Sequence, residues 1–295
     1  MTRGWFRTAL VSTLLLALMH PSLSAQRVTR RVFVDAVDDV GDPVLNLTAG
    51  EFRITENGVR REVTRASLGT APMRIVLLID SSTSMAPMVN SFRAALNVFL
   101  DALPIEHEVT FITTGGQIRV RTPPTTDRTR LKKEAGLLAS AGGANAFLDT
   151  LLEADKRFLK TASGQWPVFV IVTTDKGELN RESNLDNYNK FMNDFLARGG
   201  SAHGVILVGP QVGLVTDIVL NLVDNVGGTK ASINTDSSLP ERMKGIATRL
   251  ADDHQQMLNR YEVEFTGDAK VLVPVVEVAV TRAGVELEMS PRRPF

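Results

Sequence analysis

The sequence predicts a doubly wound α/β domain with a mostly parallel sheet, inserted into a small β-sandwich made by the two ends of the chain. Three observations carry this expectation. Near-continuous aliphatic runs recur through the middle, at Arg74–Ile79, Glu108–Thr114, Val168–Thr174 and His203–Val208, as in strands buried on both faces. Helical patterns alternate with them, which implies a parallel sheet covered on both sides. The chain ends instead alternate apolar and polar residues at period two, the signature of half-buried strands.

Residues 1–25 resemble an export signal. Arg3 and Arg7 form a positive start, Ala9–Met19 a short apolar run, and Ser22, Ser24 and Ala25 supply small residues for cleavage. The apolar run is shorter than the ~20 residues that span a bilayer, and no later stretch is long and apolar enough. The expectation is a periplasmic or secreted protein without stable membrane insertion, with an uncleaved membrane anchor as the alternative. Residues 26–71 follow as a β segment, with extended chain at Val32–Val37, a turn at Gly41-Asp42-Pro43 and a strand around Phe52 and Ile54. Asn57-Gly58 is a strong hairpin turn, with a return strand expected over Arg61–Ala66.

The central domain spans 72–260, with helices expected over Val89–Ala102, Arg128–Leu138, Phe147–Leu159, Asn187–Ala197 and Leu239–Leu258. The last sets Leu239, Met243, Ile246, Leu250 and Met257 on one stripe. Residues 261–295 return to strands at Tyr261–Phe265, Val271–Val280 and Val285–Met289, the last two split by the turn Arg282-Ala283-Gly284. Each flank is too short for a core of its own, yet each has apolar positions that need cover. The termini of a domain often lie close together, so the flanks are expected to pair into one sandwich, away from the functional face of the central domain.

Composition narrows the function. A net charge of +0 over 295 residues gives no general pull toward nucleic acid or an anionic membrane. The absence of cysteine excludes disulfides, thiolate zinc sites, iron–sulfur clusters, thiol nucleophiles and a lipid-modified N-terminal cysteine. Neither a Gly-x-Ser-x-Gly elbow nor a Gly-x-x-x-x-Gly-Lys phosphate loop occurs. His107, His203 and His254 are scattered without metal-ligand spacing and suggest surface or strand-end residues, and Trp166 suggests a packing residue.

The chemistry gathers where the first buried strand ends, at Asp80-Ser81-Ser82-Thr83-Ser84. In open α/β sheets, ligands bind beyond the carboxyl ends of the strands. Asp80, Ser82 and Ser84 place one carboxylate and two hydroxyls in a single loop, a hard oxygen set that suits magnesium or manganese better than zinc or copper. Aspartate and serine also cap helices without any metal, so these residues by themselves leave both readings open.

The run Arg74-Ile-Val-Leu-Leu-Ile-Asp-Ser-Ser-Thr-Ser-Met85 resembles the opening of the von Willebrand factor type A family and its metal-ion-dependent adhesion site. Gly142-Gly-Ala-Asn-Ala-Phe-Leu-Asp149 resembles the family's second metal loop, Val170-Ile-Val-Thr-Thr-Asp-Lys-Gly177 its third, and Gly227-Gly-Thr229 the turn before its last edge strand. The flanks, Leu47–Gly58 and Asn259–Phe265, are similar to a narrower bacterial family of exported proteins carrying this domain.

The resemblance implies one magnesium or manganese ion on Asp80, Ser82 and Ser84, with Asn145 and Asp175 completing the site, Asp175 through water. Asn145 stands where the family usually has threonine; its carbonyl can ligate a hard cation, though with altered geometry. The implied function is non-enzymatic capture of a partner protein's Asp or Glu carboxylate. Two rival readings stand beside it. One is a structural scaffold that needs no metal. The other is a phosphoaspartate-type hydrolase, which needs a second acid where Ser82 stands.

Overall fold

A computed structural model describes residues 27–162, 164–175, 183–209, 213–271 and 274–290. The export segment expected over 1–25 lies outside them.

The central sheet has six strands: β5 (Met73–Ile79), β6 (Glu108–Thr113), β7 (Arg119–Thr125), β8 (Trp166–Thr174), β9 (Ser201–Leu207) and β10 (Lys230–Ile233). Their spatial order is β10-β9-β8-β5-β6-β7. All pairings are parallel except β6 with β7. Alternation along the inner strands divides the core. Ile75, Leu77 and Ile79 of β5, with Val168, Val170 and Val172 of β8, face α1 (Val89–Ala102) and α6 (Leu239–Leu258), as α2 (Arg128–Gly136) does through Leu131. Val76, Leu78, Phe169 and Ile171 face α3 (Phe147–Ala154), α4 (Ser183–Ala197) and α5 (Leu214–Val226). Strands buried on both faces explain why the sequence shows continuous apolar runs there.

Sequence patterning missed two elements. β7 carries Pro123 and Pro124, which remove ladder donors and are tolerated because β7 is an edge strand. α5 is rich in β-branched residues, poor helix formers, but buries Val215, Ile218, Val219, Leu222, Val223 and Val226 against the sheet.

The flanks pair as expected. β1 (Arg27–Asp38), β4 (Val63–Leu68), β11 (Arg260–Asp268) and β13 (Val285–Ser290) form one sheet in the order β13-β1-β11-β4. β2 (Phe52–Glu56), β3 (Val59–Arg61) and β12 (Val276–Val280) form the other, in the order β12-β2-β3. Both sheets mix strands from the two ends of the chain. β1 runs antiparallel to β11 from Arg27↔Asp268 to Asp35↔Arg260, and β2 runs antiparallel to β12. Between the sheets lie Val32, Val34, Ala36, Phe52, Ile54, Tyr261, Val263 and Phe265. The Tyr261 hydroxyl donates to Val44 O and accepts from Leu47 N–H, tying the β1–β2 connection to β11.

The return strand expected over Arg61–Ala66 is two strands in different sheets. Asn57 and Gly58 take positive φ values of 50° and 76°, as a tight hairpin turn requires, and β3 pairs with β2 only as far as Arg61. From Val63 the chain pairs with β11 in the opposite sheet. Arg61 stays near the crossing to meet buried Glu56, which also pairs with Arg30 and accepts from Asp268 N–H. Two cations and an N–H donor are what a buried carboxylate needs.

Candidate metal centre

The chain enters the central domain at Met73 and reaches Asp80 after a single strand of about 20 Å. The loop after β5 therefore lies at the far edge of the sheet from the sandwich. β5 pairs with β6 on one side and β8 on the other, and this is where the strand order switches direction. A crevice at the carboxyl edge is the expected consequence.

Backbone bonds fix the loop before any side chain acts. Asp80 N–H donates to Val172 O, and Thr114 N–H to Ile79 O, extending the sheet by one rung on each side. Ser81 turns away, its Oγ accepting from Gly115 N–H at 2.9 Å and its carbonyl from Ala141 N–H at 2.7 Å. Gly115 is required there, because a Cβ would sit 2.4 Å from Ser81 O. Thr83 N–H and Oγ1 both donate to Gly143 O, and Ser140 Oγ donates to Ser82 O. Three loops, following β5, β6 and α2, are thereby joined at one edge.

Within that frame Asp80 is 1% exposed. Its Oδ1 accepts from Ser82 N–H at 2.7 Å, and its Oδ2 from Thr174 N–H and Oγ1 at 3.1 and 2.5 Å. Ser82 is equally buried, and its Oγ has no hydrogen-bond partner among the described residues. Ser84 is half-buried in the short 3-10 turn Thr83–Met88. Asp175, 5% exposed, follows β8 directly, and its Oδ2 accepts from Gly209 N–H at 2.6 Å. Residues 176 and 177 of the third loop lie outside the described residues.

Asn145 is buried at the same edge, but its amide is engaged at both ends. Oδ1 accepts from Thr114 Oγ1 at 2.5 Å, and Nδ2 donates to Thr173 Oγ1 at 2.8 Å. It spans the ends of β6 and β8 and does not cap α3, whose N-cap is Ala146. Sequence reasoning singled out neither Thr114 nor Thr173 nor Thr174. Their signal was a polar residue ending each aliphatic run, and Thr174 is the one that grips Asp80.

The donor set fits a small hard cation. Thr110, Thr122, Ser201 and Thr216 also bury hydroxyls without a partner among the described residues, so what sets the Ser82 oxygen apart is its place, on the residue whose N–H holds the neighbouring Asp80 carboxylate. The histidines are buried and not at the surface, although His107 does stand at a strand end, directly before β6. His107, His203 and His254 are 0%, 0% and 5% exposed, and His107 packs edge-on against His254 at 4.6 Å between ring centroids. They are 147 positions apart, a separation at which spacing carries no signal.

The class this defines is a doubly wound α/β domain with an oxygen-rich loop at the carboxyl edge of its sheet. Residues 75–178 match the family model of the von Willebrand factor type A domain, so the first part of the central domain is similar to that family. A von Willebrand factor type A protein from Catenulispora acidiphila superposes with a TM-score of 0.53 at 14% identity, over 89% of this chain and 73% of that one. The conserved hypothetical protein BatB from Bacteroides thetaiotaomicron gives 0.47 at 13% identity, over 61% and 99%. Manganese-loaded TRAP protein from Plasmodium vivax gives 0.47 at 11%, over 77% and 95%. At 14% identity the first of these likenesses concerns the fold alone. No curated protein matches the sequence. Among the described residues, no helix is long and apolar enough to cross a membrane.

Proposed function

We propose that the chain is an exported, non-enzymatic binding module that captures a carboxylate of a partner protein through one magnesium or manganese ion. Asp80, Ser82 and Ser84 would hold the ion directly, Asp175 through water, and Asn145 on giving up its bond from Thr114. The observation that carries the reading is the Ser82 hydroxyl, buried beside the Asp80 carboxylate and without a partner among the described residues. With a single charged direct ligand the ion stays electron-poor and keeps exchangeable waters, one of which a partner's Asp or Glu can replace. The sandwich, joined to the opposite edge of the sheet, serves as a spacer that holds this face outward.

Manganese titration followed by water-proton relaxation tests both halves. One ion should bind the native chain and none the Asp80→Ala chain, and a carboxylate ligand should lower the relaxation enhancement by displacing bound water. Equal binding by both chains would overturn the assignment. The occupied amide of Asn145 favours the rival reading, a scaffold that needs no metal, and failure of the native chain to bind either ion would leave that reading standing.

A further inference from the structure

We propose that Glu106, His107 and His254 form a second cation site, suited to zinc or a similar borderline first-row ion, at the joint between the central domain and the sandwich. One nitrogen of each imidazole and a Glu106 oxygen all lie within 4.8 Å of one another, and Glu106 Oε1 is 3.7 Å from His254 Nδ1. Both imidazoles are more than nine-tenths buried, and His107 Nε2 and His254 Nδ1 have no hydrogen-bond partner among the described residues. Each ring thus keeps one nitrogen without a hydrogen-bond partner among the described residues and brings one nitrogen close to the same carboxylate, which leaves room for a shared occupant.

The surroundings fit a cation. His254 Nε2 lies 3.2 Å from Ala71 O; with its proton there, Nδ1 is left bare, the arrangement that orients metal-bound histidines. Two imidazoles and a carboxylate favour zinc over magnesium, so this donor set selects differently from the oxygen set around Asp80. Three protein ligands leave a fourth position for water, reached past Glu106, whose side chain is 46% exposed. Tetrahedral zinc holds its ligand atoms roughly 3.3 Å apart, so the cluster must contract, and Glu106 is the side chain free to do so.

Two features oppose binding and bound its strength. His107 Nδ1 accepts from Met73 N–H at 3.3 Å, so coordination through Nε2 needs the other tautomer and gives up this long bond. Arg128, which donates to Pro104 O and His107 O, adds a positive charge nearby.

The site lies where the chain crosses between domains. Gly69 N–H donates to Arg260 O, Trp166 N–H to Pro72 O, and His254 contacts Ala71 between them. An ion there would tie α6 and the residues entering β6 to the segment entering β5, and so stiffen the angle between sandwich and adhesion face.

Zinc titrated into the full Asp80→Ala chain isolates this site, and cobalt reports its coordination through the intense visible absorption of a four-coordinate ion. One ion per chain is expected, with affinity falling at least tenfold in Asp80→Ala/Glu106→Gln and in Asp80→Ala/His254→Gln. The Glu106 change is at an exposed position and tests the site even if the histidine variant fails to fold. Absence of zinc binding, or binding that the Glu106→Gln change leaves intact, overturns the proposal.

Discussion

Replacing Ser82 by alanine should shift stability in opposite directions with and without the cation. The Ser82 hydroxyl is buried and without a hydrogen-bond partner among the described residues, and burying a polar group in that way costs about 1–3 kcal/mol. Its removal should therefore stabilise the metal-free chain, by roughly 1 kcal/mol once the small void is set against it. The Ser82 N–H that holds Asp80 is retained. With magnesium at about a hundred times Kd the native chain gains about 2.7 kcal/mol. If losing one direct ligand weakens binding about tenfold, the same magnesium gives the variant only about 1.4 kcal/mol.

At roughly 2–4 °C per kcal/mol for a domain of this size, magnesium should raise the native midpoint by about 5–11 °C and the variant's by about 3–6 °C. Thermal unfolding followed by circular dichroism, in chelator and across a magnesium series, measures both changes. A Ser82→Ala chain that melts lower than native in chelator, yet gains as much from magnesium, would refute the reasoning. The hydroxyl would then be held by packing and not by an ion.

Asn145→Ala should destabilise the chain by about 2 kcal/mol in chelator, because it strands the Thr114 and Thr173 hydroxyls; urea unfolding measures this. Asn145→Thr should tighten magnesium binding in calorimetric titration, because the Asn145 oxygen must first give up its bond from Thr114, and weaker binding by the variant would mean that the amide serves the ion better than a hydroxyl. Tyr261→Phe should lower stability by about 1–2 kcal/mol, since it leaves Leu47 N–H and Val44 O without their partner, with magnesium binding unchanged. Burial, helped by Arg249, depresses the His203 imidazole to about 4. The unfolded chain then binds the extra proton first, and stability on the order of 3 kcal/mol, present above pH ~6.5, is lost as pH falls toward 4. His203→Gln should flatten that slope in urea unfolding followed across pH.

The strands of the central domain were legible because burial on both faces leaves no room for polar alternation; Val168–Val172 shows this plainly. The flanks were legible for the opposite reason: Val263 and Phe265 face the sandwich core, while Glu264 pairs outward with Arg31 and Arg65. Hydrophobic pattern could not show the change of sheet after Arg61, which depends on where Glu56 finds its cations. It also missed α5, whose β-branched residues are helical only because the sheet covers one face.

The two candidate sites differ in legibility for a physical reason. Asp80, Ser82 and Ser84 lie within five residues, since one loop at a strand end supplies all three. Their support does not: Thr174 reaches Asp80 across 94 positions and Gly115 reaches Ser81 across 34. The motif thus names the candidate ligands, while the neighbouring strands set their geometry. At the joint the proportion reverses. Glu106 and His107 are adjacent, but His254 arrives only because α6 packs back along α1 and ends beside the start of β5. Nothing local in the sequence marks that meeting. It comes from inserting one domain into another, which forces the incoming and outgoing segments together at Gly69 and Arg260. Side chains on either segment become neighbours at that point whatever their spacing. Titratable groups buried where an inserted domain closes on its host are therefore places to look for ligand sites that sequence motifs do not record.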